Sequence, residues 1–184
     1  MVASMSGPFR IESATIADAA AIAEIYAHHI AHGTATFEIA AVGEDEMGRR
    51  MTEVLEAGSP WLVARENDGA LIGFAYAAQF RDRAAYRYAC ENSVYIRHDR
   101  RGEGIGRALL ALLIVAADRA GFRQMIAVIG GPEPASVRLH AACGFVEAGR
   151  LRAIGRKHGQ WLDTVYMQRA LGEGQNTEPA AEPG

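Results

Sequence analysis

The stretch Arg101-Gly102-Glu103-Gly104-Ile105-Gly106-Arg107 constrains this chain more than any other. It lies between a strand-like run, Ala89 to Arg97, and a long apolar helical run that ends near Ala120. Glycines at a strand-to-helix turn let the backbone approach a ligand with no Cβ in between. The helix start adds unpaired N–H groups and the positive end of its dipole, which together suit phosphate oxygens. Arg101 and Arg107 bring positive charge to both ends of the turn. The spacing excludes two common phosphate loops. A dinucleotide fingerprint counted from Gly102 meets Arg107 at its third glycine position, and counted from Gly104 it meets Leu109. A Walker A loop needs a Gly-Lys-Ser/Thr ending, which is absent. A tight turn with no ligand is the alternative.

The rest of the chain predicts a mixed α/β domain of about seven strands and four helices. Phe9 to Ala14 reads as a strand, and Thr15 with Asp18 forms a capping-box-like start to a helix whose apolar face is Ile22, Ile25, Tyr26 and His29. A loop through Gly33 to Phe37 leads to a more polar helix, Glu44 to Ala57, stopped by Gly58-Ser59-Pro60. Trp61 to Arg65 and Ala70 to Phe80 are strands joined by the hairpin signal Asn67-Asp68-Gly69. Arg81 to Tyr88, rich in charge and aromatics, reads as an exposed loop. Strands are expected at Phe122 to Ile129, Phe145 to Gly149 and Gln160 to Arg169, with a short helix at Ala135 to Ala142. Residues 9–171 read as one domain, and 172–184, made of Gly, Pro, Glu and Ala with little to bury, as a disordered tail.

Composition narrows the partners. Among 184 residues, 19 Lys and Arg against 22 Asp and Glu give a net charge of −3, which argues against holding nucleic acid by bulk charge. No run of about 18 apolar residues exists, so no membrane span is expected. Met1 to Gly7 lacks the charged and apolar regions of a signal peptide, and Met5 is an alternative start. Two cysteines, Cys90 and Cys143, support neither a disulfide framework nor a four-ligand zinc site, so a cytoplasmic location is expected. His28 and His32 lack the further ligands of a zinc motif, and no metal is expected.

The glycine turn fits the pattern Arg/Gln-x-x-Gly-x-Gly/Ala through Arg101, Gly104 and Gly106. It resembles the coenzyme A pyrophosphate loop of the GNAT acetyltransferase superfamily. Ser136-Val137-Arg138-Leu139-His140 followed by Gly144-Phe145 resembles the second half of that family's acetyl-CoA site. Glu91 to Ile96, Ser136 to Phe145, Gly155 to Asp163, Ile25-Tyr26 and Thr34-x-Thr36-Phe37 together look like the phosphinothricin and methionine sulfoximine or sulfone N-acetyltransferases. The resemblance runs from Ile11 to Leu171. It implies the GNAT fold, acetyl-CoA as co-substrate, a small amino acid as substrate and a homodimer. One position departs from the pattern: Glu133 stands where the family usually has Asn.

The resemblance also implies roles. Val94, Tyr95, Ile96, Arg101, Gly102, Glu103, Gly104, Ile105, Gly106, Arg107, Glu133 and Ser136 would hold the cofactor, with the backbone at Val94 and Ile96 taking the pantetheine arm. Thr36, Phe37, Arg81, Arg83, Arg87, Glu91, Asn92 and Ser93 would form the substrate wall. Glu91, a carboxylate amid an apolar strand, is either the general base for the amine or half of a structural ion pair. Strand alternation puts Glu91, Ser93 and Tyr95 on one face and Asn92, Val94 and Ile96 on the other. His140 is either a proton donor to the leaving thiolate or a packed histidine. An arginine of the 81–87 loop would take the substrate carboxylate, surface charge being the alternative reading. Lys157, His158 and Trp161 have no assigned role.

Overall fold

Two nearly continuous apolar runs form interior strands of the sheet, with both of their faces covered. They are β2 (Trp61–Glu66) and β3 (Leu71–Gln79). In β2, Trp61 and Val63 pack to one side, whereas Leu62 and Ala64 pack to the other. The structure, a computed structural model, describes residues 9–179. The remaining strands are β1 (Phe9–Ser13), β4 (Ala89–Ile96), β5 (Gln124–Gly130), β6 (Val146–Lys157) and β7 (Gln160–Ala170). The sheet order is β1-β2-β3-β4-β5-β7-β6. All neighbours are antiparallel except β4 and β5. A parallel pair needs a crossover, and α3 (Ile105–Arg119) supplies it.

The helices divide between the faces. α1 (Ala19–His32) and α2 (Glu44–Glu56) cover one face, burying Ile22, Ile25, Met47 and Met51 against Trp61, Val63 and Phe74. α3 covers the other with Ile105, Leu109, Leu110, Leu113 and Ala117, against Leu62, Ile72 and Ala75. α4 (Pro134–Ala142) begins with Pro134 in its first turn, where the missing N–H costs nothing. Ahead of α1, Thr15 N donates to Asp18 Oδ2 at 2.9 Å, closing the expected capping box on the 3-10 turn Ile16–Asp18 that leads into the helix. The Asn67-Asp68-Gly69 hairpin forms as read, with Gly69 at φ 94° and Glu66 N donating to Ala70 O at 2.9 Å.

β6 is the main correction. The expected strand stops at Gly149, but the observed one runs to Lys157 and turns through His158 and Gly159, both at positive φ, into β7. Its register slips between Glu147 and Gly149 and again between Leu151 and Gly155. Ala153 sits at φ 49° within the second bulge, and its N–H donates to Asp163 Oδ1 at 3.0 Å. An edge strand with two bulges and a largely exposed side-chain row has no period-2 signal to read. Within the expected tail, Gly172 to Gln175 form turns and Asn176 and Thr177 a bend. Gly174 N donates to Leu171 O at 2.8 Å and Arg123 Nη1 to Thr177 Oγ1 at 3.1 Å. The first eight and last five residues, with the N-terminal reading and the rest of the expected tail, lie outside the described residues.

Candidate active site

The two sides of β4 lead to two different cavities. The parallel ladder between β4 and β5 ends at Asn92↔Ala127. Beyond it, β4 stays with β3 as far as Gly73↔Ile96, and β5 stays with β7 as far as Gly130↔Thr164. The strands therefore fork, and Ser93, Val94, Val128 and Ile129 line the opening.

On the α3 side of the fork lies a groove of about 350 Å³. Gly104 caps α3 from the left-handed region, at φ 81°. The helix's first backbone bond is Ala108 N to Gly104 O at 3.1 Å, so the N–H groups of Ile105, Gly106 and Arg107 have no partner within the helix. The glycines serve two purposes. Gly104 and Gly102 need positive φ, and a Cβ on either would meet nothing. Gly106 has ordinary helical geometry and faces the groove itself, with Leu139 at 3.5 Å from the place of a Cβ. The residues expected at the cofactor all line this groove, with one exception. Glu103 instead pairs with Arg100 at 2.8 Å, and it is Arg100 that reaches the groove. The geometry fits an elongated ligand, with phosphates at the helix start and a narrow arm along β4 into the fork.

On the opposite side lies a pocket of about 270 Å³ lined by Glu91, Ser93 and Tyr95 from β4, together with Thr36, Phe37, Tyr26 and Tyr76. Strand alternation alone predicts those three β4 residues. Burial raises the Glu91 carboxyl pKa, and the charge of Arg81 partly offsets the rise. Burial pushes the Tyr26 phenol up to about 12. The loop that carries Thr36 and Phe37 is pinned on three sides. Tyr26 and Thr36 hydroxyls are 2.8 Å apart, Arg50 Nη1 donates to Glu38 Oε1 at 2.6 Å, and Lys157 Nζ donates to Thr36 O at 2.8 Å. A Cβ at Gly130 or Gly155 would overlap the Phe37 ring, so both glycines make the seat for that side chain. Lys157 is 3% exposed, and this tether is the role sequence reading could not assign.

Residues 11–166 match the acetyltransferase (GNAT) domain family. The chain belongs to the GNAT acetyltransferase family. It is 51% identical over 163 residues to a phosphinothricin N-acetyltransferase of Alcaligenes faecalis, covering 88% of this chain and 82% of that protein. It is 38% identical to an L-methionine sulfoximine/L-methionine sulfone acetyltransferase of Salmonella typhimurium, covering 89% of this chain and 95% of that one. A solved GNAT phosphinothricin acetyltransferase from Sinorhizobium meliloti, in complex with AcCoA, superposes with TM-score 0.92 at 46% identity, covering 95% of this chain and 94% of that one.

Within this acetyltransferase Asn92 and His140 both line the fork, on the face of β4 away from Glu91. Asn92, expected on the substrate wall, is buried on the opposite face of β4, where Nδ2 donates to Ile126 O at 3.0 Å. Its Oδ1 lies 2.9 Å from His140 Nε2, and His140 Nδ1 lies 2.8 Å from Ser136 O. Both ring nitrogens of His140 thus lie within hydrogen-bond distance of an oxygen acceptor inside the protein. Burial lowers the His140 pKa, and a neutral ring has one proton for two acceptor contacts. Of the loop arginines, Arg81 is the one whose charge reaches Glu91; its guanidinium lies 4.4 Å from the Phe80 ring centroid. Arg87 lies over Tyr88, and Arg83 is exposed with its carbonyl taking Gln79 Nε2 at 3.4 Å. Glu133 faces the groove and accepts from Thr34 Oγ1 at 3.3 Å. Cys90 is buried with its thiol pushed up to about 12, which suits packing rather than nucleophilic chemistry.

Sequence reading missed Tyr26 and Tyr76 as pocket residues and His29 and Arg100 as groove residues. Tyr26 and His29 lie on the buried face of α1, as their spacing predicts, and a helix face under a sheet can also wall a cavity. Among the described residues, no helix is long and apolar enough to cross a membrane.

Proposed function

We propose that this acetyltransferase transfers the acetyl group of acetyl-CoA to the α-amine of a small amino acid whose side chain ends in a tetrahedral phosphinate, sulfoximine or sulfone. The observation that carries the reading is Glu91, a carboxylate of raised pKa on the pocket side of β4, beside the fork and within the field of Arg81. The names of the relatives at 51% and 38% identity supply the side-chain class.

Acetyl-CoA brings the activated thioester. Its pyrophosphate is held by the α3 N–H groups with Arg101 and Arg107, and its arm runs along the backbone of Val94 and Ile96. A β4 N–H aimed at the thioester oxygen stabilises charge that develops there. Glu91 takes the proton of the substrate ammonium, directly or through water. Burial raises its proton affinity toward the range where a base is effective near neutral pH. Arg81 pairs with the substrate carboxylate. Thr36 and Phe37, fixed by Tyr26, Lys157 and the two glycines, close the far wall. Homodimerisation is part of the proposal. The β6–β7 hairpin exposes Leu151, Ile154 and Trp161, the last at 65%, which is apolar area suited to a second copy. Free Cys90 and Cys143 accord with the cytoplasm as its compartment.

Thiol release with an amine panel tests the reading. Phosphinothricin or methionine sulfoximine should react far faster than methionine, a polyamine or a peptide N-terminus, because donors built for phosphorus or sulfur oxygens stay unpaired with methionine. Equal rates on methionine and its sulfoximine would remove the side-chain claim. Release with a polyamine or peptide alone would move the substrate to that class. No release with any amine would leave an acetyl-CoA-binding module.

A further inference from the structure

His29 is a buried histidine in α1, 5% exposed, and it lines the groove next to Ile96 and Arg101. Its Nε2 lies 2.9 Å from the carbonyl oxygen of Ile96, the last residue of β4. Its Nδ1 lies 3.4 Å from Nη2 of Arg101, the first residue of the glycine turn. A carbonyl can only accept, and a guanidinium can only donate. One ring form satisfies both contacts: neutral, with the proton on Nε2 and the Nδ1 lone pair toward Arg101. Burial lowers the ring's pKa most, the Ile96 contact raises it, and the charge of Arg101 lowers it again.

We propose that His29 is a positioning residue of the cofactor groove, holding the end of β4 with one nitrogen and aiming Arg101 at the phosphates with the other. The proposal rests on the reading of the groove as the acetyl-CoA site. Arg101 is exposed, and an exposed arginine otherwise loses rotamer freedom when it engages a ligand. A fixed acceptor removes part of that loss before binding. Protonating Nδ1 turns the acceptor into a donor facing a cation, which releases Arg101. The surroundings add to this effect in acid. His28 lies 6.2 Å away on the same helix and stacks at 4.0 Å on His98 from the turn before Arg101, and His32 lies 4.7 Å from His28. From β4 the ring meets Tyr95 at 5.2 Å. The charges of Arg101, His28 and His98 all disfavour the protonated ring, while the carboxylate of Glu133 lines the same groove. Acetyl-CoA affinity therefore falls as pH drops through the His29 pKa.

The test is steady-state kinetics on the full chain with Arg101→Ala, His29→Phe, His29→Asn and the double variant His29→Phe/Arg101→Ala. His29→Phe should raise the KM for acetyl-CoA about tenfold while kcat and the amino acid KM stay within about twofold. In the double variant the effect of Arg101→Ala should largely vanish, because the two side chains act as one unit. His29→Asn keeps an oxygen near the place of Nδ1 and cannot titrate. It should recover most of the affinity, and the wild-type-to-variant KM ratio should rise in acid, at a pH below the ordinary histidine range because burial lowers the His29 pKa. Titration of the cofactor's own phosphates cancels in that ratio. Additive effects of His29→Phe and Arg101→Ala would overturn the proposal, as would equal changes in kcat and KM. If His29→Phe does not fold, a ratio for His29→Asn that is flat with pH overturns it. An unchanged KM in Arg101→Ala would bring down the groove reading underneath. A raised KM there, with wild-type KM in His29→Phe, would bring down the His29 proposal alone.

Discussion

The two cavities flanking β4 are built from different materials. The groove is made mostly of backbone: an α3 start, positive-φ glycines and the edge of β4 where it parts from β5. The pocket is made of side chains that arrive from α1, the 33–38 loop, β3 and β4, and it is braced by Lys157 at the end of β6. Backbone recognition needs few residue types at short spacing and serves any substrate of the same cofactor. Side-chain recognition depends on positions scattered along the chain. Generality thus sits on one side of the strand and specificity on the other.

Five substitutions can break or sharpen that contrast. The largest effect should come from Glu91→Gln. A lost general base costs roughly 10²-fold or more in kcat, and calorimetric acetyl-CoA affinity should stay unchanged because the carboxylate faces the pocket. The deficit should shrink at high pH, where more of the amine is already neutral. Glu91 also carries a stability signature. A carboxyl whose folded pKa is raised favours the folded state only in acid, and that contribution is lost as pH rises through the folded pKa. Glu91→Gln should therefore melt higher than wild type near neutral pH, with the difference closing below about pH 4. Wild-type turnover at neutral pH would place the base elsewhere.

Gly106→Val comes next. Its Cβ fits the protein but stands in the groove, so acetyl-CoA affinity should fall roughly 10- to 100-fold, from about 1–3 kcal/mol of overlap. Melting without ligand should change little. Gly104→Val should differ, because φ 81° strains any branched residue and lowers melting even without cofactor. If both variants behave alike, the two glycines have been wrongly separated.

Lys157→Met removes a charged donor from the Thr36 carbonyl, an interaction of about 1.5–3 kcal/mol. The amino acid KM should rise about tenfold, with the acetyl-CoA KM unmoved. A rise in both constants would make Lys157 a general stabiliser rather than a brace of one wall. The smallest effect belongs to Glu133→Asn. It removes a carboxylate from the groove and loosens the tie to Thr34, so acetyl-CoA affinity should be equal or slightly better. The gain should fade with salt, and markedly weaker binding would show that Glu133 makes a contact of its own.

The same contrast explains what could be read without coordinates. Arg101, Gly104 and Gly106 announced the groove because a phosphate cradle depends on glycine spacing beside a helix start, a local property. The alternation that sends Glu91 and Ser93 one way and Asn92 the other is likewise local, and the structure follows it: Asn92, which the resemblance groups with the substrate wall, bonds Ile126 O on the other face. Tyr76 gave no signal, and Tyr26 and Lys157 stood in motifs of the resemblance without a role, since a tyrosine on an apolar helix face looks the same over a core or over a cavity.

By itself the sequence determined the order of strands and helices, the glycine cradle, the hairpin at Asn67-Asp68-Gly69 and the membership of the GNAT family, all of which depend on neighbours within a few residues or on motifs in series. Only the tertiary structure decided the fork between β4 and β5, the length of the bulged β6 and the engagement of both His140 nitrogens. It also decided the tether from Lys157 to a carbonyl more than a hundred positions away, 121 residues back at Thr36. Hydrogen-bond partners of buried polar groups are chosen by packing among distant segments. Nothing in the local pattern of a chain says which carbonyl will face a buried lysine or histidine once the sheet has closed around it.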